Sequence, residues 1–350
     1  MTTPFHSSAA TAMISATPPA DPILVTSSGQ LVEKFSPRLS GPDARAELAM
    51  AGVGDGMIGG KVREKLWSRR GFLAAAGAAG LVAMGARSSP AAGNISRYAR
   101  AVLAKKPVGY WRLGESRGPS ALDSSGYAHN GFYRGTPVFG ERGAIHGDDD
   151  TAVKFDGQGS YVEVPSHEDF SQPTSGMGMT VEAWLRPDAL EFAGETADPY
   201  VHWLGKGQAN GYEWALRFYS RTSRDRPNRI SAYLFNPAGG LGAGAYFQDT
   251  LQVGEWIHVV ACFDPGDAGT PGAGVRIFKN GILRLGPPKR GTLYGNPQWQ
   301  IKPVHGPAPL RFGTRDLKSF LTGALDEVAI YPRVLTAREI LENYNAATMG

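Results

Sequence analysis

From residue 107 onward the chain is a series of short runs, each cut off by Gly, Asp, Asn or Pro: VGYWRL, AVKFD, YVEVP, MTVEAWLRP, YEWALRFYS, RISAYLF, WIHVVACF, VRIFK, LRFG and ALDEVAIY. Within several of them residue type alternates. In TVEAWLRP, Val181, Ala183 and Leu185 share one face, and Thr180, Glu182 and Trp184 share the other. Side chains of a strand point to opposite faces with a period of two, so such runs separated by turn residues specify an all-β sandwich or barrel. The same logic assigns Val259, Ala261 and Phe263 to an inner face. No βαβ alternation and no regular internal repeat is present.

Individual turns can be read as well. Asn280-Gly281 between VRIFK and ILRL is a short-range hairpin signal. Asp156-Gly157-Gln158-Gly159 separates AVKF from YVEV. Helical period returns only at the two ends. Asn94 or Ser96 can cap a short helix that Pro107 stops. Near the C-terminus Thr336 and Glu339 form a capping box, with Leu335 and Ile340 placed as a hydrophobic staple, which predicts a helix over residues 337–345.

The N-terminal part has another grammar. Residues 67–86 read WSRRGFLAAAGAAGLVAMGA, with Arg69 and Arg70 leading through Phe72 and Leu73 into a weakly apolar run that carries no charge before Arg87. A charged region followed by a short apolar one is an export signal, and S-R-R-x-F-L resembles the bacterial twin-arginine motif. The run is too short and too rich in Gly and Ala for a comfortable span of the bilayer. The signal is assigned to residues 61–92, with the mature chain starting between 87 and 93, and engagement with the membrane is expected to be transient. Residues 1–60, rich in Ser, Thr, Ala, Pro and Gly, read as a disordered leader. Met50 and Met57 stand just upstream of the arginines, so translation either begins at one of them or a long leader precedes the signal; the residues leave both open.

Residues 93–350 hold 27 Lys and Arg against 26 Asp and Glu, so most of the net charge of +4 lies in the leader and signal. That balance argues against a nucleic-acid partner. The one arginine-rich stretch, SRTSRDRPNR at 220–229, reads as a solvated loop. The chain has a single cysteine, Cys262, in an apolar strand-like run, so no internal disulfide can form and the thiol is expected in the core.

Eight motifs together carry a resemblance. PVGYWRLGE (107–115), DSSG (123–126), HNGFY, FDGQGSYVEVP, TVEAWLRP, GEWIHVVACFD, FKNG and FLTGALDEVAIYPRVLTAREILENY (320–344) follow one another in the order found in laminin G-like, concanavalin A-like jelly-roll domains of bacterial extracellular proteins. The chain resembles that family from about residue 98 to 344. The resemblance implies an all-β, two-sheet antiparallel jelly-roll sandwich over residues 107–346, with a short helix at 93–106 before it. It also implies a calcium site, with Asp123 and Asp326 as first candidates and Glu115 beside them. Calcium takes oxygen ligands from carboxylates, carbonyls and water. The pattern thins over 202–229 and 286–309, where a private function is expected.

Catalytic signatures are missing. Glycosidases of this fold place Glu-x-Asp-x-x-Glu on one strand, and no such run occurs. Asp326 and Glu327 are adjacent, which in a straight strand sends them to opposite faces. Asp148-Asp149-Asp150 reads as a solvated turn, and Glu182 and Glu213 as isolated carboxylates. There is no HExxH, phosphate loop, nucleophile elbow or dinucleotide fingerprint. The sequence reading is therefore an exported, non-catalytic recognition module for a glycan or a cell-envelope protein, with a structural or scaffolding module as the first alternative and a polysaccharide hydrolase or lyase as the second. Aromatic platforms beside hydrogen-bonding groups supply the candidate ligand residues: Trp203 with Lys206 and Asn210, and Tyr294 with Asn296 and Trp299.

Overall fold

The computed structural model describes residues 95–171, 178–194, 197–208, 211–235, 243–264, 274–284 and 305–349. Ahead of these it describes one two-residue ladder, Leu24–Val25 (β1) antiparallel to Leu31–Val32 (β2). The signal residues Arg69, Arg70, Phe72 and Leu73 lie outside the described residues.

In chain order the strands are β3 (Gly109–Trp111), β4 (Ser120–Ala121), β5 (Gly131–Arg134), β6 (Val138–Arg142), β7 (Thr151–Asp156), β8 (Tyr161–Val164), β9 (Met179–Pro187) and β10 (Tyr200–Gln208). They continue as β11 (Gly211–Tyr219), β12 (Arg229–Leu234), β13 (Ala243–Gln248), β14 (Ile257–Asp264), β15 (Gly274–Lys279), β16 (Ile282–Arg284), β17 (Leu310–Phe312) and β18 (Thr322–Tyr331). Two antiparallel sheets result. The first has the order β13-β12-β11-β10-β17-β8-β5-β4. The second has the order β16-β15-β14-β9-β18-β7-β6, with β3 pairing onto the far half of β18. This is the two-sheet sandwich expected, with a helix at each end of the domain.

Alternation places the core. Val181, Ala183 and Leu185 of β9 and Val259, Ala261 and Phe263 of β14 all belong to the cluster between the sheets. The pairings Val259–Ala183 and Ala261–Val181 keep the two inner faces in phase. The opposite face of the second sheet is also buried, because helices α1 (Arg97–Ala104) and α2 (Ala337–Thr348) lie on it. Tyr98, Val102, Ile340 and Ala347 pack there with Trp184, Val260, Cys262 and Phe278. Ser96 caps α1, its hydroxyl accepting from Ala99 N at 3.1 Å. The Thr336–Glu339 box closes as expected, and α2 runs on to Thr348.

Under the helices sits Glu182, fully buried. It accepts hydrogen bonds from Tyr98 Oη (2.9 Å), His258 Nε2 (2.8 Å), Tyr331 Oη (2.7 Å) and Asn343 Nδ2 (2.9 Å). Burial by itself would raise its pKa, but the bonds and charge from its partners win and hold it below the ordinary carboxylate value. Glu182 is thus a buried tie between sheet and helices. Cys262 lies in the same layer, and burial pushes its thiol up to about 11, which removes the thiolate a nucleophile needs.

The hairpin expected at Asn280-Gly281 joins β15 to β16, with φ of 52° and 77° at the two residues, the left-handed pair that a tight two-residue turn requires. At the other expected turn Asp156 Oδ1 accepts from Gln158, Gly159 and Ser160 N–H groups and from the Ser160 hydroxyl. Despite some desolvation, those bonds lower its carboxyl to about 2.

Candidate functional site

The connection from β6 to β7, residues 143–150, runs along the second sheet and walls a recess of about 500 Å³. Arg142, His146, Asp149, Arg186 and Trp256 line it. Trp256 stands just before β14, partly buried, and packs against the helix-side cluster. The Arg186 guanidinium lies 5.4 Å from its ring centroid. Arg186 is itself held by Asp188 (2.9 Å) and Glu141 (2.8 Å), so ring and cation are fixed together. Arg142, His146 and Asp149 are exposed at the mouth, and their side chains make no hydrogen bond among the described residues. An aromatic wall with uncommitted donors and acceptors at its rim is the mixed lining of a small-molecule site, and the volume lies within the usual range of roughly 300–1,000 Å³.

Behind the recess lies a buried charge cluster that the sequence reading divided wrongly. Asp326 and Glu327 do not point to opposite faces: β18 carries a bulge between Asp326 and Ala329, with Glu327 at φ 54°, and both carboxyls are buried. A bulge adds a residue to one strand and resets the alternation. Nor is 148–150 a free solvated turn. Arg112 reaches Asp148 at 2.6 Å, Asp150 at 2.9 Å and Glu327 at 3.2 Å. Tyr110 donates its hydroxyl to Glu327. Asp326 Oδ2 accepts from Ala144 N at 2.8 Å, while its Oδ1 is buried with no hydrogen-bond partner among the described residues. Burial raises the Asp326 carboxyl well above its ordinary value, and the Glu327 charge adds to it. Burial likewise pushes Glu327 up to about 8, against the pull of Arg112. The cluster braces the 143–150 connection from behind.

The calcium ligands expected from the resemblance do not fit a cation. Asp123 Oδ1 accepts from Tyr110 N and Ser125 N, and its Oδ2 from the Ser125 hydroxyl and His129 N, all at 2.8–2.9 Å. Its lone pairs are committed to donors that a calcium ion would displace. Glu115 accepts from Leu122 N (2.7 Å) and from the Tyr133 hydroxyl (2.6 Å). Among the described residues Asp326 belongs to no group of three histidine, cysteine or carboxylate side chains that could hold a metal ion. Asp123 and Glu115 are turn acceptors in this fold.

Two of the six expected ligand residues lie inside the fold. Trp203 is fully buried in the core between the sheets. Lys206 is fully buried too, 2.5 Å from Glu213 Oε1 and donating to the Gly306 carbonyl at 2.8 Å. A residue enclosed by its own fold cannot serve as a platform. Asn210, Tyr294, Asn296 and Trp299 lie outside the described residues. Most of the stretch 202–229, expected to hold a private function, is β10 and β11 in the middle of the first sheet. The outer face of that sheet carries an arginine–aromatic layer, with Arg217 4.8 Å from the Tyr233 ring and Arg315 4.5 Å from the Tyr212 ring. Within 220–229, Arg221 and Arg224 are exposed, while Arg229 lies 4.0 Å from the Tyr246 ring.

Among the described residues no helix is long and apolar enough to cross a membrane. Nor do they present a pair of facing carboxylates with an open cleft, or a nucleophile with its base. A family model described as the concanavalin A-like lectin/glucanases superfamily matches residues 156–341, just over half of the chain. No curated protein matches the chain. Solved structures share the fold at low identity. The binding domain of botulinum neurotoxin DC in complex with rat synaptotagmin II aligns with a TM-score of 0.50 and 12% identity, covering 71% of this chain and 52% of its own. The same domain in complex with SialylT gives 0.50 and 12%, covering 70% and 52%. A further receptor binding domain gives 0.51 and 12%, covering 72% and 53%. This chain thus spans about half the length of those structures.

Proposed function

We propose that this chain, which belongs to the concanavalin A-like lectin/glucanases superfamily, is an exported, non-catalytic recognition module that binds a saccharide in the recess beside Trp256. The recess itself carries the reading: one clamped tryptophan, with Arg142, His146 and Asp149 uncommitted at its rim. Sugars present apolar ring faces together with hydroxyls, and this lining offers a partner for each. Two structures of the same fold that hold SialylT and synaptotagmin II give the reading an analogy in receptor recognition, at the level of fold alone. Export rests on Arg69 and Arg70 ahead of their short apolar run.

A glycan array with the full chain tests the ligand class. Reproducible hits that vanish in Trp256→Ala and weaken in Asp149→Ala are the expected result. A blank array, with capture of one protein from the cell envelope instead, overturns the saccharide assignment.

A further inference from the structure

At the opposite sheet, away from Trp256, two histidines and a carboxylate converge without any role in the reading above. His129 Nε2 lies 3.3 Å from Asp169 Oδ2, and His167 Nδ1 lies 3.1 Å from the same oxygen. The two imidazole rings are 4.4 Å apart, and one ligand atom from each of the three residues falls within 4.8 Å of the others. From the geometry we infer that His129, His167 and Asp169 form a binding site for a divalent transition metal, zinc first.

Distances favour it. Tetrahedral zinc with bonds of about 2.0–2.1 Å separates its ligand atoms by roughly 3.3 Å. Both nitrogen–oxygen separations already stand near that edge. Donor chemistry selects the ion: imidazole suits zinc, copper or nickel, whereas calcium takes oxygen donors.

The ligands are held by the fold. His129 N donates to Asp123 Oδ2 at 2.9 Å, and the His129 carbonyl accepts from Trp111 Nε1 at 2.9 Å. The His129 ring meets Phe170 edge-on at 4.9 Å and stacks parallel to Tyr127 at 6.1 Å. Phe170 is fully buried, and its carbonyl accepts from Trp214 Nε1 at 2.8 Å. One cost is visible: Asp169 N donates to His167 Nδ1 at 3.2 Å, and a metal on Nδ1 takes that lone pair. The released N–H lies at the exposed rim, where water replaces the bond. A recess of about 140 Å³, lined by His129, Asn130, Pro165 and His167, leaves the fourth position open to water or to an anionic ligand oxygen. The ion would join the 123–130 loop to the 165–171 loop.

The test is calorimetric titration of the chelator-stripped, untagged full chain with Zn²⁺ alone, and separately with Ca²⁺. One Zn²⁺ per chain and no heat from Ca²⁺ are expected. His129→Gln and His167→Gln each weaken zinc binding by more than about tenfold, since loss of even an outer-shell partner of a ligand costs roughly 10–100-fold. His146→Gln and His305→Gln leave it unchanged. Because the His167 side chain is 45% exposed, its variant keeps the fold and decides the matter if the His129 variant does not. Absence of zinc heat in the unaltered chain, or full affinity in His167→Gln, overturns the assignment. These results are independent of the glycan array, so either proposal can fail alone.

Discussion

Lys206 Nζ lies 2.5 Å from Glu213 Oε1, and both residues are shut off from water inside the first sheet. Glu213 Oε1 also accepts from Gly306 N at 3.0 Å, so the pair ties the β10–β11 hairpin to the approach of β17. Removing one buried charge strands the other, at a cost of about 3–5 kcal/mol. Glu213→Gln is therefore expected to lower stability on that scale in urea unfolding. The double change Lys206→Met, Glu213→Leu recovers most of the loss. Equal losses in the single and double variants would show that the charges are not coupled.

The Asp326–Glu327 pair sets a pH dependence. A carboxyl whose folded pKa is raised keeps a proton that the unfolded chain has lost, so its contribution is full at low pH. It declines as pH climbs from about 4 through the folded value. For Glu327 that window ends at about 8. Thermal midpoints of the unaltered chain are expected to fall between pH 5 and pH 8, with a shallower fall in Asp326→Asn. Parallel profiles for the two proteins count against a raised Asp326.

Glu182 works in the other direction. Its folded pKa is lowered, so its contribution is present above the unfolded value and is lost as pH falls through the folded one. Glu182→Gln keeps the size but removes the charge that four donors face. It should cost several times RT, about 2–4 kcal/mol on the scale of buried charged hydrogen bonds. It should also abolish acid sensitivity from this site, as read by midpoints between pH 2 and pH 5. An unchanged acid limb would place that sensitivity elsewhere.

How much of this was legible follows from what each residue answers to. Strand faces such as Val181–Ala183–Leu185 and the Thr336–Glu339 box depend on neighbours within a few positions, and they stand as read. Asp326 and Glu327 were misplaced because a bulge is decided by pairing with β9, a strand more than a hundred residues earlier. Trp203 looked like a platform because it falls where the family pattern thins, over 202–229; burial between two sheets is invisible in local pattern. Trp256 was passed over inside GEWIHVVACFD, read only as a strand motif. Its place one residue before β14 was the available sign that it stands at the sheet's margin. His129 comes from one loop and the pair His167 and Asp169 from another, and no spacing rule joins the two.

Gly281 offers a conformational test. Its φ is 77°, and a Cβ there would lie 3.0 Å from Leu341 Cδ1 and Tyr344 Cβ of α2. Gly281→Ala meets both left-handed strain and a crowded neighbour, and a loss of about 1–3 kcal/mol is expected by thermal unfolding. Gly140, also at positive φ but with open space around it, supplies the comparison, since Gly140→Ala carries the strain without the contact. Equal losses would show that α2 gives way freely.

Replacing Arg69 and Arg70 with lysines examines the export route. Fractionation should then find the chain retained in the cytoplasm. Undiminished export removes the twin-arginine assignment and leaves only the apolar run to account for secretion.

Strand β18 follows every other strand of the second sheet in sequence yet lies in its middle, where β9, β7 and β3 all pair with it. Synthesis therefore delivers the keystone after the seven other strands of its sheet. A growing chain that has reached residue 321 possesses seven other strands of that sheet with a gap between them, and their inner faces have nowhere to close. The sheet cannot close until residues 322–331 have been made. The domain thus acts as its own check on completeness, since a product truncated anywhere before Tyr331 cannot assemble the sheet and is left open to proteolysis.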